Sequence, residues 1–261
     1  MNIIEKEMVN TLVELRERYG VFEIKAEFEA EGSTMEEMMR LKDVASAAGL
    51  PILLKIGGVE AVTDIYCALQ LGVSGIVAPM AETAFALSKY ISMVQKIIPP
   101  DNASDIQFAF NLETITGYQN LSSMLALPCM NVLHGVTVGR VDLTGSMGLD
   151  RTAVNSSRIF EITREVLVAA RQKHLHTAVG GAISKESLDF IERLHQEGLL
   201  DKFETRKVVF RGDSYRYGDH ALQKAILFEL NWLKAKQRFH SRIKQEDVGR
   251  IKMLEDRLAM G

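Results

Sequence analysis

The sequence predicts an α/β fold, a TIM-type (β/α)8 barrel with an atypical or missing first strand and long C-terminal helices. Three observations carry this reading. Short apolar runs alternate with amphipathic stretches along most of the chain, the pattern of βα units and a parallel sheet. The strand candidates carry charged and amide residues on one face. Residues 22–31 read FEIKAEFEAE, with Ile24, Ala26 and Phe28 on one side and Lys25, Glu27 and Glu29 on the other. Lys55, Gln107, Asn111 and Glu113 repeat this in two later strands. An open parallel sheet would bury such residues under helices at high cost. A barrel turns one face inward, toward a mouth that holds the active site. An edge strand with one solvated face is the plainer alternative for the first run.

Residues 1–20 have the spacing of an amphipathic helix. The barrel core is expected over 21–216, beginning with FEIKAEFE. A helix follows over TMEEMMRLKDVASAAG, with Gly49 as its stop. PILLKIGG (51–58) is a strand, and VEAVTDIYCALQLG is a helix closed by Gly72. GIVAPM (75–80) is a strand, and the next helix ends at Pro99-Pro100. IQFAFNLE (106–113), NVLHGVTVGRVDL (131–143) and HTAVGG (176–181) hold further strands, with helical stretches between them. KFETRKVVFRG (202–212) holds the last of seven strand candidates. The eighth is either disguised in the first twenty residues or replaced by another closure. Residues 217–261 form a helical extension, packed on its own barrel or exchanged between subunits.

The chain has 261 residues, a net charge of −3 and 47% hydrophobic residues, enough for one barrel domain. The near-neutral balance gives no electrostatic reason to expect nucleic acid or an acidic membrane. No apolar run approaches the ~20 residues that span a bilayer. Cys67 and Cys129 lie far apart, which suits a reduced, cytoplasmic setting.

Strand ends supply the candidate chemistry. Glu113 and Asp142 each follow an apolar run where a strand should stop, and two such carboxylates suit a hard divalent ion, Mg²⁺ or Mn²⁺. They equally suit helix caps. Lys55, beside Gly57-Gly58, could hold a substrate carboxylate, act as a Schiff-base nucleophile, or pair with Glu27 or Glu113 inside the barrel. Glu29, Glu31, Arg211 and Asp213 are further strand-end candidates. His134 reads as a packed or hydrogen-bonded histidine rather than a ligand.

At these positions the chain resembles the HpcH/HpaI aldolase and citrate lyase β-subunit superfamily. The resemblance rests on GVSGIVAPMAET (72–83), FNLETITGYQN (110–120) and GVTVGRVDLTGSMGL (135–149), of which GRVDLTGSMGL is the most specific. It implies a metal-dependent carbon–carbon lyase of the class II aldolase type, using a pyruvate-type 2-oxo acid and an aldehyde, in a homo-oligomer. It implies that Glu113 and Asp142 hold the metal, and that backbone amides of Gly139, Arg140 and Val141 hold the substrate carboxylate. Lys55 stands where the family has an arginine on the keto oxygen. The family's histidine acid/base is absent from KAEFEAEGST, which leaves Glu29 or Glu31 as substitutes. Other readings are an acyl-CoA lyase like the citrate lyase β branch, a Schiff-base aldolase using Lys55 or Lys25, and a non-catalytic barrel that binds a 2-oxo acid.

Overall fold

A computed structural model describes residues 1–259, so the last two residues of the expected C-terminal extension lie outside the described residues. Among those described, eight strands close into a barrel in sequence order. They are β1 (Val21–Glu27), β2 (Ile52–Lys55), β3 (Gly75–Ala78), β4 (Gln107–Leu112), β5 (Gly135–Gly139), β6 (His176–Gly180), β7 (Lys202–Glu204) and β8 (Val208–Arg211). The helices before β4 are α1 (Ile3–Tyr19), α2 (Met35–Ala47), α3 (Val62–Leu71), α4 (Ala84–Ile97) and α5 (Pro100–Ala103). After β4 come α6 (Ile115–Gln119), α7 (Leu121–Leu125), α8 (Arg140–Ser146), α9 (Ser157–Arg171), α10 (Leu188–Gln196) and α11 (Gly218–Ala259).

The strand hidden in the sequence is not at the N-terminus. Residues 3–19 form α1, opened by a capping box between Asn2 and Glu5 and stopped by Gly20 at φ 73°. The run 202–212 breaks instead into β7 and β8. Strands β1 to β7 pair in parallel, whereas β8 runs antiparallel to both β7 and β1. The atypical strand is therefore the last one, and it needs only the three-residue turn 205–207. An antiparallel pair can be joined by so short a turn, while a parallel pair needs a crossover. Phe203 and Phe210, paired in register, stack with centroids 5.0 Å apart and hold this hairpin together.

The two faces of β1 behave as its alternation demands. Ile24 and Ala26 are fully buried in the shell between strands and helices. Lys25 and Glu27 point inward and line the cavity at the mouth. Below them Phe22, Leu53, Val77, Ala109 and Val209 plug the barrel's lower interior. Helix α11 packs Ala221, Ala225, Phe228 and Trp232 inward. Its Leu222, Ile226, Glu229, Leu233 and Lys236 reach the cavity rim. Farther along, Val248, Ile251, Leu254 and Leu258 are exposed. No helix among the described residues is long and apolar enough to cross a membrane.

Candidate active site

A cavity of about 730 Å³ opens at the ends of β1, β2, β4, β5, β6 and β7. Strand ends converge on one mouth in a parallel barrel, so side chains far apart in sequence meet there. Glu113 is placed by β4, which stops one residue earlier. Its carboxylate is 2% exposed. The backbone N–H of Met80 donates to Oε1 at 2.9 Å. The Asn111 amide donates to Oε2 at 3.1 Å, and the Lys55 ammonium lies 3.5 Å from that same oxygen.

Two features of the GRVDLTGSMGL stretch shape the surroundings of Glu113 and Asp142. A Cβ on Gly139 would lie 2.6 Å from Glu113 Oε2, so this glycine leaves the carboxylate its space. Ser146 Oγ accepts from the backbone N–H of Ile115 at 2.8 Å and donates to the Leu143 carbonyl at 2.7 Å. It thereby ties the loop after Glu113 to α8, whose first turn carries Asp142. Asp142 is exposed and lines the cavity.

Burial pushes the Glu113 carboxyl above the usual carboxylate range, the charge of Asp142 adds to the push, and Lys55, the Met80 N–H and Asn111 only partly oppose it. For Lys55, burial works against its charge, but Glu113 and Glu29 outweigh it and hold its pKa above the ordinary lysine value. Glu29 is the nearer partner, at 2.6 Å from the ammonium.

The remaining predicted groups divide clearly. Glu31 lines the cavity but is held by two cations, with Arg206 Nε at 3.1 Å and Lys207 on its other oxygen. Gly139 and Val141 line the cavity. The Arg140 side chain does not reach it; it is fully buried and donates to Gly180 O, Gly181 O, Val154 O, Asn155 Oδ1 and Ser187 Oγ. Burial lowers its pKa to about 10. Lys25, the alternative Schiff-base lysine, is held in an ion pair. It pairs with Glu204 at 2.6 Å, while Arg206 lies 2.8 Å from Glu27. Because β8 is reversed, Arg211 sits at the lower end beside Gly20, paired in β8 with the start of β7, and neither it nor Asp213 lines the mouth. His134 is exposed and hydrogen-bonded rather than packed, its Nδ1 accepting from the Phe108 N–H at 3.0 Å.

Sequence reasoning missed Glu204, Thr205, Arg206 and the rim residues of α11. The first three sit in and beside the turn that the hairpin lifts to the mouth. The signal was KFETRKVVFRG itself, whose polar ETRK interrupts two short apolar stretches.

Among the described residues there is no group of three His, Cys, Asp or Glu side chains that could hold a metal ion. The donor set that does face the cavity is smaller: one buried carboxylate short of compensating charge and one exposed carboxylate close enough to feel it. Such a pair fits a Mg²⁺-like ion that keeps most of its shell for water and substrate oxygens.

The sequence profile of the HpcH/HpaI aldolase/citrate lyase family matches residues 25–187, from the inward face of β1 to the turn after β6. The chain belongs to this family. No curated protein matches it by sequence. Among solved structures, an HpcH/HpaI aldolase from Desulfitobacterium hafniense DCB-2 is 16% identical over 78% of this chain and 83% of that one, with a TM-score of 0.60. A family protein from Burkholderia cenocepacia J2315 is 14% identical over 85% and 89%, with a TM-score of 0.61. The citrate synthase SbnG is 14% identical over 89% and 90%, with a TM-score of 0.60. At these identities the likeness is one of fold, and the chemistry of this family member is argued from its own site.

Proposed function

We propose that this family member is a metal-dependent carbon–carbon lyase or aldolase acting on a 2-oxo acid of the pyruvate type. The observation that carries the reading is the buried Glu113 carboxylate, raised in pKa and facing the same cavity as Asp142 with Lys55 beside it. Glu113 and Asp142 would hold the ion, Mg²⁺ or Mn²⁺. When bound, such an ion supplies the positive charge that stabilises an enolate.

The chain's own groups do the rest. Gly139 and Val141 line the cavity wall where a 2-oxo acid's carboxylate would rest, and the Arg140 backbone lies between them. Lys55 places a full positive charge beside the oxygen that becomes the enolate. In the cleavage direction, a base takes the proton from the C4 hydroxyl of a 4-hydroxy-2-oxo acid. The C3–C4 bond breaks, an aldehyde leaves, and the proton returns to C3 of the enolate. We assign this shuttle to Glu29. It lines the cavity, is a quarter exposed, and lies 2.6 Å from Lys55. Glu31 is instead engaged by both Arg206 and Lys207.

The test is exchange of the pyruvate methyl protons in deuterated water, followed by NMR with Mg²⁺ or Mn²⁺ and then with chelator. Exchange that needs the metal and disappears in Glu29→Gln supports the assignment. Equal exchange in chelator, or in the Glu113→Ala/Asp142→Ala double variant, overturns it.

A further inference from the structure

Three cations are buried among the described residues: Lys55, Arg140 and Lys207. Lys55 faces Glu29 and Glu113, and Lys207 faces Glu31. Arg140 differs. Its five hydrogen bonds all go to neutral acceptors: three backbone carbonyls, the Asn155 amide oxygen at 2.7 Å and the Ser187 hydroxyl. Its guanidinium also lies over the Phe190 ring, 4.7 Å from the centroid. These dipoles solvate the charge but do not cancel it. A buried charge without an opposite charge is costly.

The place of this charge is specific. Nε and Nη2 hold the carbonyls of Gly180 and Gly181 at 3.2 and 2.8 Å. Both glycines line the cavity, as do Gly139 and Val141 on either side of Arg140 itself. Gly181 has φ +83°, and a Cβ there would lie 2.7 Å from the Val141 nitrogen and 2.9 Å from that of Arg140. The ends of β5 and β6 are thus pressed together by a guanidinium standing directly behind the cavity wall.

We propose that Arg140 is a positioning and specificity-determining residue whose uncompensated charge selects a carboxylate-bearing ligand at the β5–β6 wall. The missing counter-charge is the ligand's own carboxylate, on the far side of one layer of backbone. This deepens the function proposed above and rests on it for the ligand class, a 2-oxo acid. At low effective dielectric, a charge screened by one backbone layer still acts strongly on an anion. The selected feature is charge rather than shape, because the guanidinium never touches the ligand.

The test places a counter-charge on Arg140 without removing it. Asn155→Asp is nearly isosteric and puts a carboxylate where Nη1 now donates. Pyruvate and its neutral analogue pyruvamide are titrated calorimetrically into the full chain with Mg²⁺ present. The expected result is about a tenfold loss of pyruvate affinity with pyruvamide changed less than about twofold, and a melting temperature no lower than that of the parent. Arg140→Lys, which keeps the charge, should retain more of the preference for pyruvate over pyruvamide than Arg140→Gln. An unchanged preference in Asn155→Asp, an equal loss for both ligands, or no preference in the parent chain overturns the inference. Failure of the lyase assignment shows separately, as absent turnover with the binding preference still measurable.

Discussion

The ammonium of Lys55 stands 3.5 Å from Oε2 of Glu113, and both groups are almost fully shielded from water. One cation and one anion at this distance would ordinarily compensate each other. Here the carboxyl is still pushed above its usual range, because burial costs it more than the loose contact with Lys55 returns.

That imbalance predicts a metal-dependent gain in stability. A raised carboxyl pKa means that ionised Glu113 destabilises the fold, a cost that appears as pH rises from the unfolded value of about 4.5 through the higher folded one. Mg²⁺ or Mn²⁺ should therefore raise the melting temperature at neutral pH, and do so less near pH 4.5, where the ligand is protonated. Glu113→Gln and Asp142→Asn should each remove most of the shift while the chain stays folded by circular dichroism. A shift of the same size in both variants would place the ion elsewhere.

Lys55 should stay charged throughout the working range. Burial lowers its pKa, but Glu113 and Glu29 raise it more, so its folded value lies above 10.5. The stability this pairing contributes is present below the unfolded lysine value and is lost only as pH rises through the folded one. No alkaline loss of activity from this group is expected below about pH 10. A protonated amine is no nucleophile, so borohydride with pyruvate should trap no adduct. A trapped adduct on Lys55, found by peptide mass spectrometry, would favour the Schiff-base route.

The barrel was legible in the sequence because alternation survives one-dimensional reading: Ile24 and Ala26 against Lys25 and Glu27 mark two faces wherever the strand lies. That Glu113 and Asp142 face one cavity was legible because strand ends converge on one mouth of a barrel. The partners of Lys25 and Glu27 were not. Both belong to the hairpin of β7 and β8, where KFE and VVFR are too short to show a period. Reversing the last strand moved Arg211 to the lower end and brought Arg206 to the mouth. The buried contacts of Arg140 were hidden for another reason. Its five acceptors come from 14 to 47 residues farther along the chain.

Glycine at position 139 is predicted to matter for sterics alone. Its φ of −88° suits any residue, but an added Cβ would meet Glu113 Oε2 at 2.6 Å and Glu113 Cβ at 2.7 Å. Gly139→Ala should displace the carboxylate and weaken Mn²⁺ binding by at least tenfold, roughly the cost of one misplaced ligand partner. Gly145→Ala is the matched control. It lies in α8 with nothing within 4 Å of its added Cβ. It should leave Mn²⁺ affinity unchanged and stabilise the helix by up to about 1 kcal/mol. Metal affinity read by electron paramagnetic resonance separates the two, and an equal loss in both would assign the effect to helix α8 rather than to Glu113.

The pair Lys25–Glu204 forms the floor of the cavity at 2.6 Å, with side-chain exposures of 15% and 3%. Burial opposes the Glu204 charge, but Lys25 and Lys202 outweigh it and hold the carboxyl below the usual range, with Thr137 donating at 3.3 Å. A depressed carboxyl contributes stability that is present above the unfolded value of 4.5 and is lost as pH falls through the folded one. Glu204→Gln should therefore flatten the acid limb of the stability–pH curve. Lys25→Met leaves a buried carboxylate with Lys202 as its remaining cation, and should cost about 3 kcal/mol, the scale of a broken buried pair. Adding Glu204→Leu to Lys25→Met should recover much of that loss, since two apolar groups need no counter-charge. Urea unfolding of the three variants at neutral pH measures this directly. Equal stability of Lys25→Met and the parent would mean that Lys202 alone carries the floor, and additive losses in the double variant would show that the two side chains act independently.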